Sequence, residues 1–455
     1  MVDRDQGRTE GSAPSVVRAM EQIAFDPADP KSALAQLPQR SAVFALYGAE
    51  AHAEPYIGRT PNLRGRLERL LLPSAKHPRR LQLAGRVRRI EWRLTGSEFE
   101  SLLLQFDLLK KIYGPKVLER MHLGAPSFVR YLGSNPYPRI TVTNRPSQRE
   151  AEWAYGPFAS RAAAERFAEE ALKLFLLRRC TDDLNPDPNF PGCVYSEMKM
   201  CLAPCYKGCS DERYADESTA VERFLATRGD SRLVTLRTER DEASANLEFE
   251  SAAALHAQVQ KVEAVRALAP ELVRPLSRLR AVILQASPDP DEVAVFLFEE
   301  GRLRGPVSFS TLGMRIQNEQ SGSSSLFAQP MAVEAITEEG QQGSGIRDQD
   351  ASASEAGAEA ATAPVSSASA RKAARTMLET RLEGVLAELG AEPQAPSATI
   401  RQGHMALLKR WYYRPEAKRT GEIFFPDAEE HWPIKAILRG VGRIAAKSLT
   451  GVAAS

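Results

Sequence analysis

All five cysteines of this 455-residue chain lie between Cys180 and Cys209. A secreted disulfide scaffold spreads its thiols through a much shorter chain, so this crowding points to a metal or cluster site in a reducing compartment. Cys201-Leu202-Ala203-Pro204-Cys205 sets two thiolates four positions apart, and Cys193 and Cys180 reach them through short loops. Four thiolates suit tetrahedral zinc or a [4Fe–4S] cluster. Zinc modules usually pair their cysteines closely at both ends, which this chain does not, and none of its six histidines is near the segment. Cys209 is left over as an ordinary thiol.

The length suggests two to four domains. No apolar run approaches the roughly 18–20 residues that span a bilayer, so no membrane association is expected. The opening MVDRDQGRTEGSAPS lacks the apolar segment of a secretory signal, and a cytoplasmic location is expected. Residues 1–36 read as a flexible polar tail. A first domain over 37–120 begins with AVFALYG and PYIG, a β-hairpin, and continues with a helix from about Pro61 whose stripe is Leu63, Leu67, Leu70 and Leu71. Ser97 and Glu100 form a capping-box pattern ahead of a second helix. The net charge of +2 hides an asymmetry: Arg59–Arg93 holds eleven Arg or Lys against two acids, Glu68 and Glu91. Arg59, Arg64, Arg66, Arg69, Arg79, Arg80, Arg86, Arg88 and Arg89 form a basic stripe suited to phosphate contacts.

Residues 121–232 form the cysteine region, with strands SFVRYLG and RITVT and a helix over Arg161–Leu176. Residues 233–268 read as a helical hairpin with too little apolar surface to close a core alone, so a partner is expected to finish it. Residues 269–455 open on AVILQAS and EVAVFLFEEGRLRGPVSFS, an alternating hairpin turning at Glu300-Gly301. Within them 315–370, rich in Ser, Gly, Ala, Gln and Glu, reads as a disordered insertion, followed by a helix over Arg371–Leu389. The fold class is α+β.

AVFALYG, PYIGR and the basic NLRGRLERL resemble the GIY-YIG nuclease motif. PYPRITV, YGPFASRAAAERF, Cys180-x12-Cys193-x7-Cys201-x3-Cys205 and ASANLEFESAAALHAQV then follow in the order found in the UvrC family of the bacterial excinuclease ABC. The resemblance covers residues 38–268 well and 278–310 with 400–440 weakly. It implies a GIY-YIG-like domain, a [4Fe–4S] cluster on Cys180, Cys193, Cys201 and Cys205 (zinc being the alternative), and a UVR hairpin. That hairpin would dock a UvrB-type subunit through residues 233–268, with Leu247, Phe249 and Ala253 as its seam. The C-terminal part resembles a truncated ribonuclease H-like region, so the family's second incision activity is expected to be missing.

A GIY-YIG nuclease activates its nucleophile through tyrosine, holds one divalent cation with a glutamate, and offsets phosphate charge with an arginine. Carried onto this chain, the second tyrosine is retained as Tyr56 and the arginine as Arg66. The first tyrosine is replaced by Phe44 and the following lysine by Arg59. The metal-binding glutamate falls at Gln105, whose neutral amide serves Mg²⁺ poorly. Two functions follow. In one, the chain is a repair protein that binds DNA, through Arg59, Arg64, Arg66 and Arg69, and a UvrB-type partner, with nuclease chemistry lost. In the other, Glu98 or Glu100 replaces the missing ligand and a divergent endonuclease still incises damaged DNA. The sequence favours the first.

Overall fold

The computed structural model describes residues 19–50, 53–72, 83–181, 184–312, 367–391 and 396–452, arranged as three four-stranded sheets with helices. The basic positions Arg79 and Arg80, and residues 315–366 of the expected insertion, lie outside the described residues.

The first sheet has the order β1-β4-β2-β3, and every pairing in it is antiparallel. β1 (Glu21–Ala24) and helix α1 (Pro30–Ala35) fall where the sequence suggested a flexible tail. Asp29 caps α1, Pro30 supplies its first turn, and Phe25, Ala33, Leu34 and Leu37 are buried. So short and polar a segment gives no periodic signal; its partners come from residues 63–92, which only the fold supplies. β2 (Ala42–Gly48) and β3 (Tyr56–Thr60) form the expected hairpin. Helix α2 (Leu63–Leu71) starts two residues later than expected because the Asn62 side chain caps it, accepting from Gly65 N at 2.8 Å. The anticipated leucine stripe is its buried face. β4 (Val87–Leu94), legible in sequence only as basic, buries Val87, Ile90 and Trp92. Helix α3 (Glu98–Tyr113) follows its Ser97 cap, and α4 (Val117–Arg120) closes the segment.

The second sheet, β6-β5-β7-β8, is built from β5 (Ser127–Tyr131), β6 (Ile140–Thr143), β7 (Ala154–Phe158) and β8, described below. Helix α5 (Arg161–Leu172) packs on it and ends four residues before the expected Leu176. The short α6 (Val194–Glu197) lies in the cysteine loop. Helix α7 (Asp211–Ala226), which carries no distinct signal in the sequence, leads into the hairpin α8 (Asp230–Ala245) and α9 (Phe249–Ala267). The base of the hairpin is buried through Leu233, Leu236, Val259, Val262 and Val265. β8 (Arg274–Pro275) pairs with β7, so the second sheet is completed by residues that the sequence assigned to the C-terminal region.

The third sheet, β11-β10-β9-β12, comprises β9 (Ala281–Ala286), β10 (Glu292–Glu299), β11 (Arg302–Ser310) and the later β12. Glu300 and Gly301 both take positive φ (52° and 80°), as a tight two-residue hairpin turn of right-handed twist requires. Helix α10 (Ser367–Gly390) includes residues 367–370 of the expected insertion. Helix α11 (Ala398–Tyr412), β12 (Glu422–Phe424) and α12 (Ile434–Val452) complete the order. Leu378, Leu382 and Leu386 of α10 and Ile437 and Val441 of α12 cover one face of the sheet. The other face, with Ile283, Phe296 and Phe298, receives Met405, Leu408 and Trp411 of α11 and Phe99, Leu102, Leu103 and Phe106 of α3.

The first domain is not a wholly separate core. The apolar face of α3 closes the core of the C-terminal sheet: Phe99 meets Phe296 edge-on at 5.2 Å and Trp411 at 5.3 Å. Among the described residues no helix is long and apolar enough to cross a membrane.

Candidate functional site

The β2/β3 register places Phe44 opposite Gly58, Val43 opposite Arg59 and Leu46 opposite Tyr56. Side chains alternate across a strand, so Phe44, Gly58 and Tyr56 share the face that packs on α2, and Arg59 faces the side of α3. Phe44 is fully buried, and its ring lies over Gly58 so closely that a Cβ there would fall 2.6 Å from Phe44 Cζ. The ring that stands where the motif has a catalytic tyrosine is thus a core side chain with no polar atom. Tyr56 is half-buried, its ring 6.1 Å from that of Phe44. Arg66 is half-buried on α2, and among the described residues neither it nor Tyr56 makes a side-chain hydrogen bond or ion pair.

Both carboxylates that could replace the missing ligand are committed elsewhere. Arg414, just beyond α11, donates to Glu98 Oε2 at 2.7 Å and Oε1 at 2.8 Å, and Arg59 donates to Oε1 at 3.1 Å. These guanidinium groups, Arg414 above all, hold the Glu98 carboxyl at about 2, overcoming the opposing effect of burial. Glu100 is buried at 4% exposure and accepts from Gly96 N at 2.8 Å, locked into the turn that starts α3. Gln105 is half-buried two turns along. Arg414 had no sequence signal as a site residue, because it lies 316 residues from Glu98 along the chain.

The basic stripe divides by role. Arg64 donates to Leu37 O and Ala35 O, both at 2.7 Å, and so satisfies the carbonyls that end α1. Two of its five N–H groups are thus given to backbone acceptors, so Arg64 has a structural role as well as charge. Arg88 bonds Gly85 O and Val87 O, while Arg89 pairs with Glu91 at 2.9 Å and lies over the Tyr47 ring. Arg66, Arg69 and Arg86 are left with charge to offer, although Arg69 also reaches Gly65 O through Nε.

The cysteine loop folds against the end of the second sheet. Cys193 caps α6, Cys205 sits in the turn Pro204–Tyr206, and Lys199, Ala203 and Lys207 all take left-handed backbone that bends the chain around Cys201. Ala203 N donates to Cys201 Sγ at 3.3 Å, and the buried Arg178 aims NH1 at Cys180 Sγ at 3.6 Å. Burial pushes the Cys201 thiol up to about 11, with charge on Cys180, Cys205 and Cys193 adding to it. Cys205 is raised by burial and then by Cys193. Cys209 is raised by burial and Asp211 instead, which sets it apart from the other four. Among the described residues, no three His, Cys, Asp or Glu side chains gather as ligands of one metal ion. The donor chemistry and the N–H and guanidinium groups aimed at sulfur suit a thiolate site.

At the tip of the helical hairpin, Leu247 (φ 62°) and Phe249 are 71% and 66% exposed, and Ala253 is exposed beside them.

Residues 42–116 match the UvrC-like GIY-YIG domain, 128–224 the middle domain of the UvrC/Cho excinuclease, and 230–265 the UvrB/uvrC motif. The UvrABC system protein C of Alcanivorax borkumensis is 32% identical over 239 residues, 52% of this chain and 39% of that protein. The same protein of Ruminiclostridium cellulolyticum is 29% identical over 285 residues, 62% of this chain and 46% of the relative, and that of Pseudomonas aeruginosa is 30% identical over 232 residues, 51% and 38%. The chain therefore spans less than half the length of these curated relatives. No solved structure matches it. With three matched segments in the family's order, on the hairpin, cysteine loop and helical pair just described, the chain belongs to the UvrC family.

Proposed function

We propose that this chain acts in nucleotide excision repair, in the cytoplasm, as a UvrC-type subunit that binds DNA and a UvrB-type partner and whose GIY-YIG domain no longer cuts. The observation that carries it is the closure of Glu98 by Arg414 and Arg59. Glu100 is buried in the turn that starts α3 and an amide stands at Gln105, so neither of the two carboxylates that could replace the missing ligand is free for a cation. Phe44 removes the second proton-handling group.

Support for partner docking comes from the apolar tip of the UVR hairpin, where Leu247 and Phe249 face solvent. A [4Fe–4S] cluster on Cys180, Cys193, Cys201 and Cys205 is the cofactor we favour, with zinc as the alternative, because the cysteine spacing lacks the close pairing at both ends that zinc modules usually show. It would serve as a staple for the loop. The three-strand meander β9–β11 with β12 on its edge supports reading the C-terminal region as a ribonuclease H-like remnant, although its four strands carry no aspartate to hold a metal.

The test is incision. Purified protein incubated with its partner, damaged duplex and Mg²⁺ or Mn²⁺ is expected to leave the DNA intact. Nicking that Arg66→Ala or Tyr56→Phe abolishes overturns the loss of chemistry and restores the divergent endonuclease.

A further inference from the structure

A cavity of about 570 Å³ opens between the turn that joins α7 to α8, the segment from β8 to β9, and the loop between β12 and α12. That volume lies in the range of about 300–1,000 Å³ where ligand sites usually fall. Four arginines line it, Arg228, Arg274, Arg278 and Arg280, and they are not equivalent. Arg274 donates to Glu271 and to Pro426 O, and Arg280 pairs with Glu299 at 2.7 Å. Arg228 and Arg278 make no side-chain hydrogen bond or ion pair among the described residues. Arg228 is half-buried, and its Nε is closed off from solvent with no acceptor among them. It follows α7 on left-handed backbone, φ 53°, with Gly229 next at 88°, a conformation that residues with a Cβ seldom take. Burial, and then the charge of Arg228 beside it, push the Arg274 guanidinium below its ordinary value. Four carboxylates also line the cavity, and each already has a partner. Asp230 pairs with Arg266 at 2.9 Å, Glu271 with Arg274 at 3.4 Å and Glu430 with Arg280 at 3.8 Å, while Asp427 accepts from Glu429 N and His431 N. Their side chains are 57–59% exposed, so water solvates them as it does not solvate Arg228 Nε.

From these two unanswered guanidinium groups we infer that the cavity binds phosphate through Arg228 and Arg278, and that the phosphate belongs to the backbone of a DNA strand. An oxygen on Arg228 Nε relieves a donor that the unliganded protein leaves unmet at a cost in stability. Arg278 is exposed and adds charge more than a fixed bond. A carboxylate accepts one guanidinium fork along its single edge, whereas a phosphate offers oxygens in several directions to forks arriving from two elements. The apolar part of the lining is Ala226, Pro275, Pro426 and Ala428, with no aromatic ring among the described residues. Nothing there stacks on a base, so the contact is to backbone and is independent of sequence. The same chemistry has a second source, a free polyphosphate. The DNA source rests on the DNA-binding role proposed above; the phosphate site does not.

The experiment titrates the full chain with a DNA duplex and with tripolyphosphate, each over a range of salt. Arg228→Met keeps the stem and removes the donors, Arg278→Ala removes the exposed charge, and Arg66→Ala reports on the first domain separately. Arg228→Met is expected to weaken binding about tenfold, the scale of one charge-assisted contact. Arg278→Ala is expected to weaken it about threefold, the scale of an exposed charge. Each should lower the slope of duplex affinity against salt by about one unit. Without either probe, Arg228→Met should melt at or above the wild-type temperature, since it removes an unmet donor. A lower melting temperature means that the fold itself holds Arg228, and overturns the inference. Duplex binding that responds to Arg228→Met in addition to Arg66→Ala identifies the DNA backbone as the source. Duplex binding that responds to Arg66→Ala alone, with tripolyphosphate binding lost in Arg228→Met, identifies the free polyphosphate. A protein that binds no duplex at all defeats the DNA-binding role, and the tripolyphosphate titration then decides the phosphate site by itself. Indifference of both probes to Arg228→Met overturns the inference, as does displacement of tripolyphosphate by poly-glutamate as readily as by inorganic pyrophosphate, which marks a general anion surface.

Discussion

Arg414 grips Glu98 through both carboxylate oxygens, at 2.7 and 2.8 Å, and so ties the first turn of α3 to the end of α11. The same carboxylate receives Arg59, the cation that stands where the GIY-YIG motif has its lysine. One acid from the first domain thus bridges one arginine of the hairpin and one from the C-terminal region. It is an anchor between two parts of the chain rather than a ligand in waiting.

That anchor makes stability depend on acid. Glu98 is held at about 2, below the ordinary glutamate value of about 4.3, so its contribution is full above the ordinary value and is lost as pH falls towards 2. Because the side chain is 39% exposed, solvent screening reduces that contribution to about 1 kcal/mol. Urea unfolding of wild type and Glu98→Gln at pH 5 and pH 2.5 checks it: the gap between the two proteins should shrink at the lower pH. A gap that does not change with pH would contradict the assignment.

Gly58 is required by the ring of Phe44. Gly58→Ala should destabilise the protein by about 1–3 kcal/mol through overpacking, since its Cβ would fall 2.6 Å from Phe44 Cζ. In a Phe44→Leu background the same change should cost clearly less, a non-additivity that thermal denaturation of the four proteins measures.

Arg64 and Arg66 separate structure from nucleic-acid contact. Arg64→Ala leaves Leu37 O and Ala35 O without their donor and should cost about 1–2 kcal/mol of stability. Arg66→Ala should leave stability within about 0.5 kcal/mol. It should also weaken DNA binding and lower the slope of affinity against salt by about one unit. Equal effects of both on DNA affinity at matched stability would place Arg64 back among the phosphate contacts.

The four thiols should hold iron. Protein purified without oxygen is expected to be brown, and Cys201→Ser should lose iron while Cys209→Ser keeps it. In metal-free protein the Cys201 thiol, pushed up to about 11 by burial, should alkylate slowly at pH 8 and faster as pH rises. Metal analysis that finds zinc and no iron rejects the cluster.

Leu247 offers a variant that separates folding from docking. It is 71% exposed at φ 62°, a left-handed conformation that glycine adopts freely. Leu247→Gly should therefore leave the hairpin as stable or slightly more so, while affinity for a UvrB-type partner falls about tenfold. Calorimetric titration of the partner against both proteins decides it, and unchanged affinity rejects the apolar tip as the docking surface.

Much of this architecture was legible in residue order. The leucine spacing of α2, the Ser97 cap, the β2/β3 pair and the Glu300-Gly301 turn are local patterns, fixed by backbone geometry and by which face each side chain must take. β1 and α1 were not legible because four to six residues carry no period until a neighbouring element supplies the burial, and β4 because its three arginines mask the alternation. Family membership was also readable from the chain alone. Only the tertiary structure decided which charges are free. Arg64 spends its guanidinium on the end of α1, and Glu98 closes on Arg414 from the far end of the chain, because hydrogen-bond partners are chosen by proximity in the folded molecule and sequence does not encode that distance directly.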